Sequence, residues 1–319
     1  MTTHRLRIVA RTPLTDRIAE FTLAPAEGGT LPAWEPGAHL RVALDEGGDR
    51  AYSLVTFGPV PEAPERYTIA VQREDDGLGG SRFMHGLGEG DEVEITAPKC
   101  DFPVAAGKPA LLLAGGIGIT PMISMAHALK AAGTPFTLHY AARSQDVMAY
   151  REELAESLGD SLALHFDDVA GGPIDLDGLI AAMGSDQHLY VCGPRPMIDA
   201  ALAKAEAAGI PRERVHVELF DNASAGADEG DDSFEVELAS SGEVFTIPPG
   251  KSIIEVLEEA GHDLIYDCQR GDCGICQTEV LEGVPDHRDV VLSEAERAEG
   301  KLMQICVSRA KTPRLKLDL

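Results

Sequence analysis

The sequence predicts a multidomain chain of three folded parts: an antiparallel β-barrel or sandwich, a parallel α/β domain, and a small domain behind an acidic linker. Up to residue 105 the chain runs in short β-type segments, "HLRVAL", "RAYSLVTF", "RYTIAVQRE" and "DEVEITAP". They are rich in Val, Ile, Thr and aromatics and are punctuated by Gly and Pro, as in antiparallel barrels and sandwiches. From 106 to 220, apolar runs ("PALLLAG", "FTLHYAA", "LALHFDD", "HLYVCGP") alternate with helical stretches such as "MISMAHALKAAG" and "MIDAALAKAEAAG". That alternation predicts parallel strands joined by helices. Residues 221–233, "DNASAGADEGDDS", hold five acids and no apolar residue larger than Ala, so they can bury nothing and read as a flexible linker. Residues 234–319 open with a hairpin, "FEVELASSGEVFTIPPG", followed by a helix at "SIIEVLEEAG" and a cysteine-rich loop.

Charge excludes some functions. The 319 residues carry 53 Asp+Glu against 27 Lys+Arg, a net charge of -26. A nucleic-acid binder needs a basic face to meet phosphates; this chain suits a partner with a basic surface, or simply solubility. The N-terminus lacks the apolar core of a signal peptide. The uncharged run Pro109–Leu129 is long enough to span a bilayer, but its centre, Gly115 to Pro121, suits a strand, loop and helix start better. No membrane contact is expected, and a cytoplasmic protein with six cysteines points to metal or redox chemistry before disulfides.

Each part carries a motif. In the first, "RAYS" (Arg50, Ala51, Tyr52, Ser53) lies on one strand, with Arg50 and Tyr52 on the same face by period two. Gly79, Gly80 and Ser81, before a short helical stretch, can offer backbone N–H groups to an anion. In the second part, "LLLAGGIGITP" runs a buried strand into Gly115, Gly116 and Gly118. Thr120 is placed to N-cap the next helix and Pro121 to occupy its first position. Glycines there let a backbone approach a pyrophosphate. "YVCGP" sets Cys192, Gly193 and Pro194 at another strand end, and "VHVELF" closes this part with Phe220. Arg143 and Ser144 could read a 2′-phosphate, and Asp167 or Asp168 could reach a ribose. The histidines show no ligand spacing.

In the third part Cys268, Cys273 and Cys276 stand in the spacing C-x4-C-x2-C, with Cys306 beyond them. That is the spacing of plant-type [2Fe–2S] proteins; a structural zinc site is the alternative, although zinc usually takes two C-x2-C pairs. Gly271 and Gly274 can take positive φ and turn N–H groups toward the sulfurs. Cys100 and Cys192 lie outside the set.

Residues 234–319 thus resemble a plant-type ferredoxin domain, which implies a β-grasp fold. Gln269 departs from the acid common at its position, and Asp272 from an apolar residue. A carboxylate beside a cluster disfavours an added electron, so Asp272 alone predicts a potential at or below about −400 mV. The R-x-Y-[ST] strand resembles that of the ferredoxin–NADP reductase superfamily. The resemblance implies Arg50 on a flavin phosphate, Tyr52 on the ring and Ser53 near flavin N5. It also implies Ala70, Val71 and Gln72 at the ring edge, Cys192 beside the nicotinamide and Phe220 over the flavin. In motif order the whole chain resembles the phthalate dioxygenase reductase family. That resemblance implies an antiparallel β-barrel flavin domain (1–105), an α/β nicotinamide domain (106–220), the linker (221–233) and a β-grasp ferredoxin domain (234–319). It also implies FMN rather than FAD, and NADH as the donor. Electrons would pass singly through the [2Fe–2S] cluster to a terminal oxygenase, with a cytochrome P450 as the alternative acceptor.

Overall fold

The structure, a computed structural model, describes residues 3–45, 47–75, 79–220, 228 and 230–319. It divides between Phe220 and Asp221 into two compact units. In the first, β1 (Thr3–Pro13), β2 (Ile18–Pro25), β3 (His39–Ala43), β4 (Asp49–Ser53), β5 (Tyr67–Gln72) and β6 (Glu92–Thr96) form one sheet. The order is β4-β3-β6-β1-β2-β5, and all described pairings are antiparallel. A bridge from Leu54 to Ile69 joins the two edges and closes the barrel, which leaves no long free edge. Inward residues alternate with outward ones, as the pleat requires: Leu6 and Ile8 on β1, and Phe21 and Leu23 on β2, are fully buried. These first two strands were not among those read from the sequence. The short helix α1 (Gly80–Gly86) follows β5.

The second part of this unit begins with β7 (Ala110–Gly115), all six of whose residues are buried, as a parallel strand covered on both faces should be. A 3-10 turn leads into α2 (Ile119–Ala131), then β8 (Phe136–Ala142), α3 (Arg151–Leu158) and β9 (Leu162–Phe166). After α4 (Asp167–Ala170) and α5 (Leu176–Ala181) come β10 (His188–Cys192), α6 (Arg195–Ala207) and β11 (Val215–Glu218). The five strands are parallel in the order β11-β10-β7-β8-β9. From β7 the chain winds one way to β9, then crosses over to β10 and β11, so the topological switch point lies between β7 and β10. The run Pro109–Leu129 is thus a strand, a turn and most of a helix. No helix among the described residues is long and apolar enough to cross a membrane.

Barrel and sheet are pinned together by three hydrogen bonds. The Gly37 N–H donates to Ser124 Oγ at 3.1 Å, the Ala105 N–H to the Tyr190 hydroxyl at 2.8 Å, and the Tyr150 hydroxyl to Glu20 Oε2 at 2.8 Å. Tyr150 is buried and left-handed (φ 58°), a rare conformation for a bulky residue.

At the far end of the sheet, His188 Nδ1 lies 2.9 Å from His216 Nε2, and the His216 ring stacks on Tyr190 with centroids 4.4 Å apart. Burial, with smaller contributions from His188 and Arg212, pushes the His216 pKa down to about 4. An unfolded His titrates near 6.5. The unfolded chain therefore binds the extra proton first, and stability held above pH 6.5 is lost as pH falls toward 4. Allowing for solvent screening, the expected loss is about 1–2 kcal/mol. Thermal melts at pH 7 and pH 4.5 should show it, and His216→Gln should flatten the acid limb.

In the second unit, β12 (Phe234–Leu238) and β13 (Val244–Ile247) form the expected hairpin. Helix α7 (Ile253–Glu259) starts with a capping box between Ser252 and Glu255. Then come β14 (Gln277–Glu282), β15 (Pro285–Asp286), α8 (Glu294–Glu299), β16 (Leu302–Gln304), β17 (Arg309–Ala310) and β18 (Arg314–Leu317). The main sheet runs β13-β12-β18-β14-β16, with β12 and β18 parallel. This mixed sheet with a packed helix is the β-grasp architecture.

The acidic stretch 221–233 departs from expectation at its C-terminal end. Asp231 accepts two hydrogen bonds from Arg288, at 2.6 and 3.0 Å, and lies 3.2 Å from the Arg309 guanidinium. The Arg288 hydrogen bonds hold its carboxyl below the usual range. Arg309, 3% exposed, also donates to the carbonyls of Asp232, Pro248 and Lys251. Asp228 receives the Gly250 N–H at 2.9 Å. Asp231 is fastened to the ferredoxin-like unit because two largely enclosed arginines need a counter-charge, and Asp228 by the Gly250 N–H. The remainder of the stretch, 221–227 and 229, lies outside the described residues.

Candidate active site and metal centre

The two glycine motifs of the α/β part meet at the switch point. β7 and β10 are neighbours, with Cys192 in register with Ala114, so the turns after both strands rise side by side. A Cβ on Gly118 would sit 2.2 Å from the Cys192 carbonyl oxygen, and one on Gly115 would sit 2.6 Å from Pro194 Cδ. Gly118 is therefore required by backbone-to-backbone packing, and Gly115 by the Pro194 ring and the Met197 sulfur packed against it. Crevices at the carboxyl ends of such strands are where open α/β sheets bind ligands. Thr120 and Pro121 are placed differently from the sequence reading. Helix α2 starts at Ile119 with Gly118 as cap, and the Thr120 hydroxyl donates back to the Ile117 carbonyl at 3.0 Å. Pro121 is the third helical residue. The 3-10 turn runs directly into the helix and leaves no extended residue to act as a side-chain cap.

Cys192, 1% exposed, ends β10, and its parallel register partner on β11 is Glu218, itself 3% exposed. No sequence motif marks Glu218; only the β10–β11 register places it beside the cysteine. Phe220, two residues further on, is 39% exposed. At the ends of β8 and β9, the Asp168 N–H donates to the Arg143 carbonyl at 3.1 Å, which sets Asp167 and Asp168 beside Arg143.

In the barrel, the Arg50 stem packs on Gly80, where a Cβ would lie 2.3 Å from Arg50 Cγ. The "RAYS" strand and the glycine loop therefore form one place. Gly79 is left-handed (φ 91°). The Ser81 hydroxyl is engaged by the Glu74 N–H at 3.0 Å, so Ser81 reaches toward the chain rather than standing open. Ser53 is 4% exposed, and its hydroxyl has no hydrogen-bond partner among the described residues. A buried orphan of this kind calls for a group to complete it, and a flavin edge fits. Burial, opposed by Arg50, pushes the Tyr52 phenol up to about 12. Ala70 and Val71 are buried on β5, and Gln72 pairs with Glu74.

In the second unit Cys268, Cys276 and Cys306 are buried and Cys273 is half-buried. No set of three or more His, Cys, Asp or Glu side chains among the described residues is arranged to hold a metal ion. The thiols lie within hydrogen-bonding reach of one another in sequence, Cys273 to Cys268 to Cys306 to Cys276. Hydrogen bonds from Cys273 and then Cys306 hold the Cys268 thiol below its ordinary range, and the same contacts push Cys273 and Cys306 up. The loop around them is built for close approach. Gly271 (φ 79°) has no room for a Cβ, which would lie 2.7 Å from Val307 Cγ2, and its carbonyl accepts from Val290 N–H. The Arg270 N–H donates to Cys268 Sγ at 3.3 Å, and Gln304 Oε1 accepts from Cys276 Sγ at 3.6 Å. Four linked thiols with N–H donors around them fit a [2Fe–2S] cluster, which takes two sulfurs per iron.

Comparison with known proteins agrees with this geometry. Residues 236–311 match the 2Fe-2S iron-sulfur cluster binding domain, and residues 112–170 the oxidoreductase NAD-binding domain. Vanillate O-demethylase oxidoreductase of Pseudomonas putida is 41% identical over 98% of each chain. The solved structure of phthalate dioxygenase reductase, a modular structure for electron transfer from pyridine nucleotides to [2Fe–2S], superposes with a TM-score of 0.71. It is 36% identical over 99% of this chain and 98% of that one. Full-length CYP116B46 of Tepidiphilus thermophilus matches at 34% identity and a TM-score of 0.73, over 99% of this chain and 42% of its own. With barrel, parallel sheet and four-thiol site in one order, and with matches to phthalate dioxygenase reductase along nearly its full length, the chain belongs to the phthalate dioxygenase reductase family.

Proposed function

We propose that this oxidoreductase takes electrons from NADH through FMN and a [2Fe–2S] cluster and delivers them singly to a terminal oxygenase, a Rieske-type dioxygenase or O-demethylase. The observation that carries the reading is the switch-point packing of Gly118 on Cys192. It sets two glycine-bearing strand-end turns side by side at the switch point, where open α/β sheets bind dinucleotides, on a chain that also holds four linked thiols. When bound, the flavin accepts a hydride and yields single electrons, which the cluster relays.

The residues have the following roles. Arg50, with the N–H groups of Gly79 and Gly80, holds the flavin phosphate. The Ser53 hydroxyl donates to the ring near N5, and Tyr52 with Ala70, Val71 and Gln72 borders the ring. Gly115, Gly116 and Gly118 admit the dinucleotide pyrophosphate, with Thr120 and Pro121 in the supporting first turn. Cys192, Gly193 and Pro194 form the nicotinamide wall, backed by Glu218, and Phe220 closes the flavin side. Cys268, Cys273, Cys276 and Cys306 ligate iron. Asp167 and Asp168 bear on cofactor choice, because their charges oppose a 2′-phosphate beside Arg143. At least a tenfold preference for NADH over NADPH is expected in steady-state reduction, and the reverse preference would overturn this assignment. A thiol-ligated cluster suits the reducing cytoplasm.

Adding NADH in sub-stoichiometric steps under anaerobic conditions should bleach the flavin and cluster absorption together. If the flavin bleaches while the cluster stays oxidised, the internal relay is wrong. The match to CYP116B46 favours a second acceptor, a cytochrome P450. Reduction rates of purified Rieske oxygenases and P450s, compared side by side, decide between them.

A further inference from the structure

The loop that supplies three of the four thiols also holds two opposite charges, Arg270 and Asp272. Their side chains are only 14% and 6% exposed, and Arg270 Nε lies 3.3 Å from Asp272 Oδ2. Both residues border the same sulfur. The Arg270 N–H donates to Cys268 Sγ, and the Asp272 side chain is within hydrogen-bonding reach of that thiol. Asp272 taken alone implied a cluster that resists an added electron. The structure supplies the counter-charge and removes the basis for that expectation.

We infer that Arg270 and Asp272 are a charge-balanced pair that sets the electron affinity of the cluster: Asp272 opposes the added electron, Arg270 favours it, and side by side they cancel. Two features of the pair make this more than a surface ion pair. Enclosure removes most of the water that would screen each charge, so an unbalanced member acts at close range in a medium of low effective dielectric. The Asp272 side chain reaches the Cys268 sulfur and the Arg270 guanidinium lies against Asp272, so both charges sit close to where the electron density changes on reduction. The hydrogen bonds and charges around sulfur are known controls of cluster potential. The residues flanking the pair do not duplicate it, since Gln269 is neutral and Gly271 has no side chain.

This inference rests on reading the four thiols as a [2Fe–2S] site, and its test separates the two. The full chain is purified as wild type, Arg270→Gln, Asp272→Asn, the double variant and Arg270→Lys. Each is titrated anaerobically with mediators while the reduced-cluster EPR signal is followed. Arg270→Gln should lower the electron affinity about tenfold, which for a one-electron couple is about 59 mV downward. Asp272→Asn should raise it by a similar factor. The double variant and Arg270→Lys should stay within about threefold of wild type. Single-variant shifts below threefold, or both shifts in one direction, would overturn the pair, even if melting temperatures fall as for any lost ion pair. Should Asp272→Asn fail to assemble a cluster, the contrast between Arg270→Gln and Arg270→Lys decides alone. A wild-type protein with no such EPR signal after iron and sulfide reconstitution overturns the cluster reading, and this inference with it.

Discussion

Gly118→Ala is expected to abolish NADH-dependent flavin reduction while leaving the ferredoxin-like unit folded. The added methyl would sit 2.2 Å from the Cys192 carbonyl oxygen, 2.4 Å from its carbon and 2.8 Å from the Gly193 nitrogen. None of these is the movable end of a side chain. All are backbone atoms at the end of a strand held in register by β7 and β11. One of the two turns must therefore move, and overpacking of this kind costs about 1–3 kcal/mol or more. The functional loss is larger, because a misplacement of about 1 Å at a reacting site can cost about a hundredfold in rate. Stopped-flow reduction of the flavin by NADH should slow by about that factor or more. The visible spectrum of the oxidised cluster should not change. An unchanged reduction rate would mean that dinucleotide does not bind at this crevice.

The second large effect concerns Cys306, which is buried in a turn after β16 and lies within hydrogen-bonding reach of both Cys268 and Cys276. Cys306→Ser is expected to remove the cluster or reduce its occupancy to a small fraction. A hydroxyl remains protonated where a thiol gives up its proton to iron, and the substitution breaks the link between the Cys273–Cys268 pair and Cys276. Metal binding and folding are coupled in such sites, so the melting temperature of this unit should also drop. The flavin unit, separate in the fold, should still pass electrons from NADH to a small acceptor such as ferricyanide. Delivery to an oxygenase should disappear. A variant with full iron content and normal delivery would reassign the fourth ligand.

How much of this was readable in the sequence depended on whether a feature is local. Three of the four thiols fall within nine residues, so their spacing was informative before any fold was known. The strands β7 to β10 announced themselves by apolar runs between helices. Strands β1 and β2 did not, although they are central to the barrel, because their alternation includes charged residues such as Arg5, Arg7 and Glu20 that face outward. Thr120 looked like a cap because threonine often is one; the 3-10 turn before it depends on how Gly116 and Gly118 pack. Glu218 was invisible because its relation to Cys192 is a register across two strands far apart in sequence. Arg270 stands two residues from Asp272, yet only their shared burial shows that the charges balance.

The clasp around Asp231 moves the start of the second unit upstream of its first strand. β12 opens at Phe234, yet Arg288 and Arg309 draw a counter-charge from Asp231, and the Asp228 carbonyl holds the Gly250 N–H. A piece cut at Phe234 would take both arginines into the fold with that carboxylate removed, and breaking a partly buried ion pair from one side is destabilising. The smallest stretch that folds as this unit therefore begins at Asp228 rather than at its first strand.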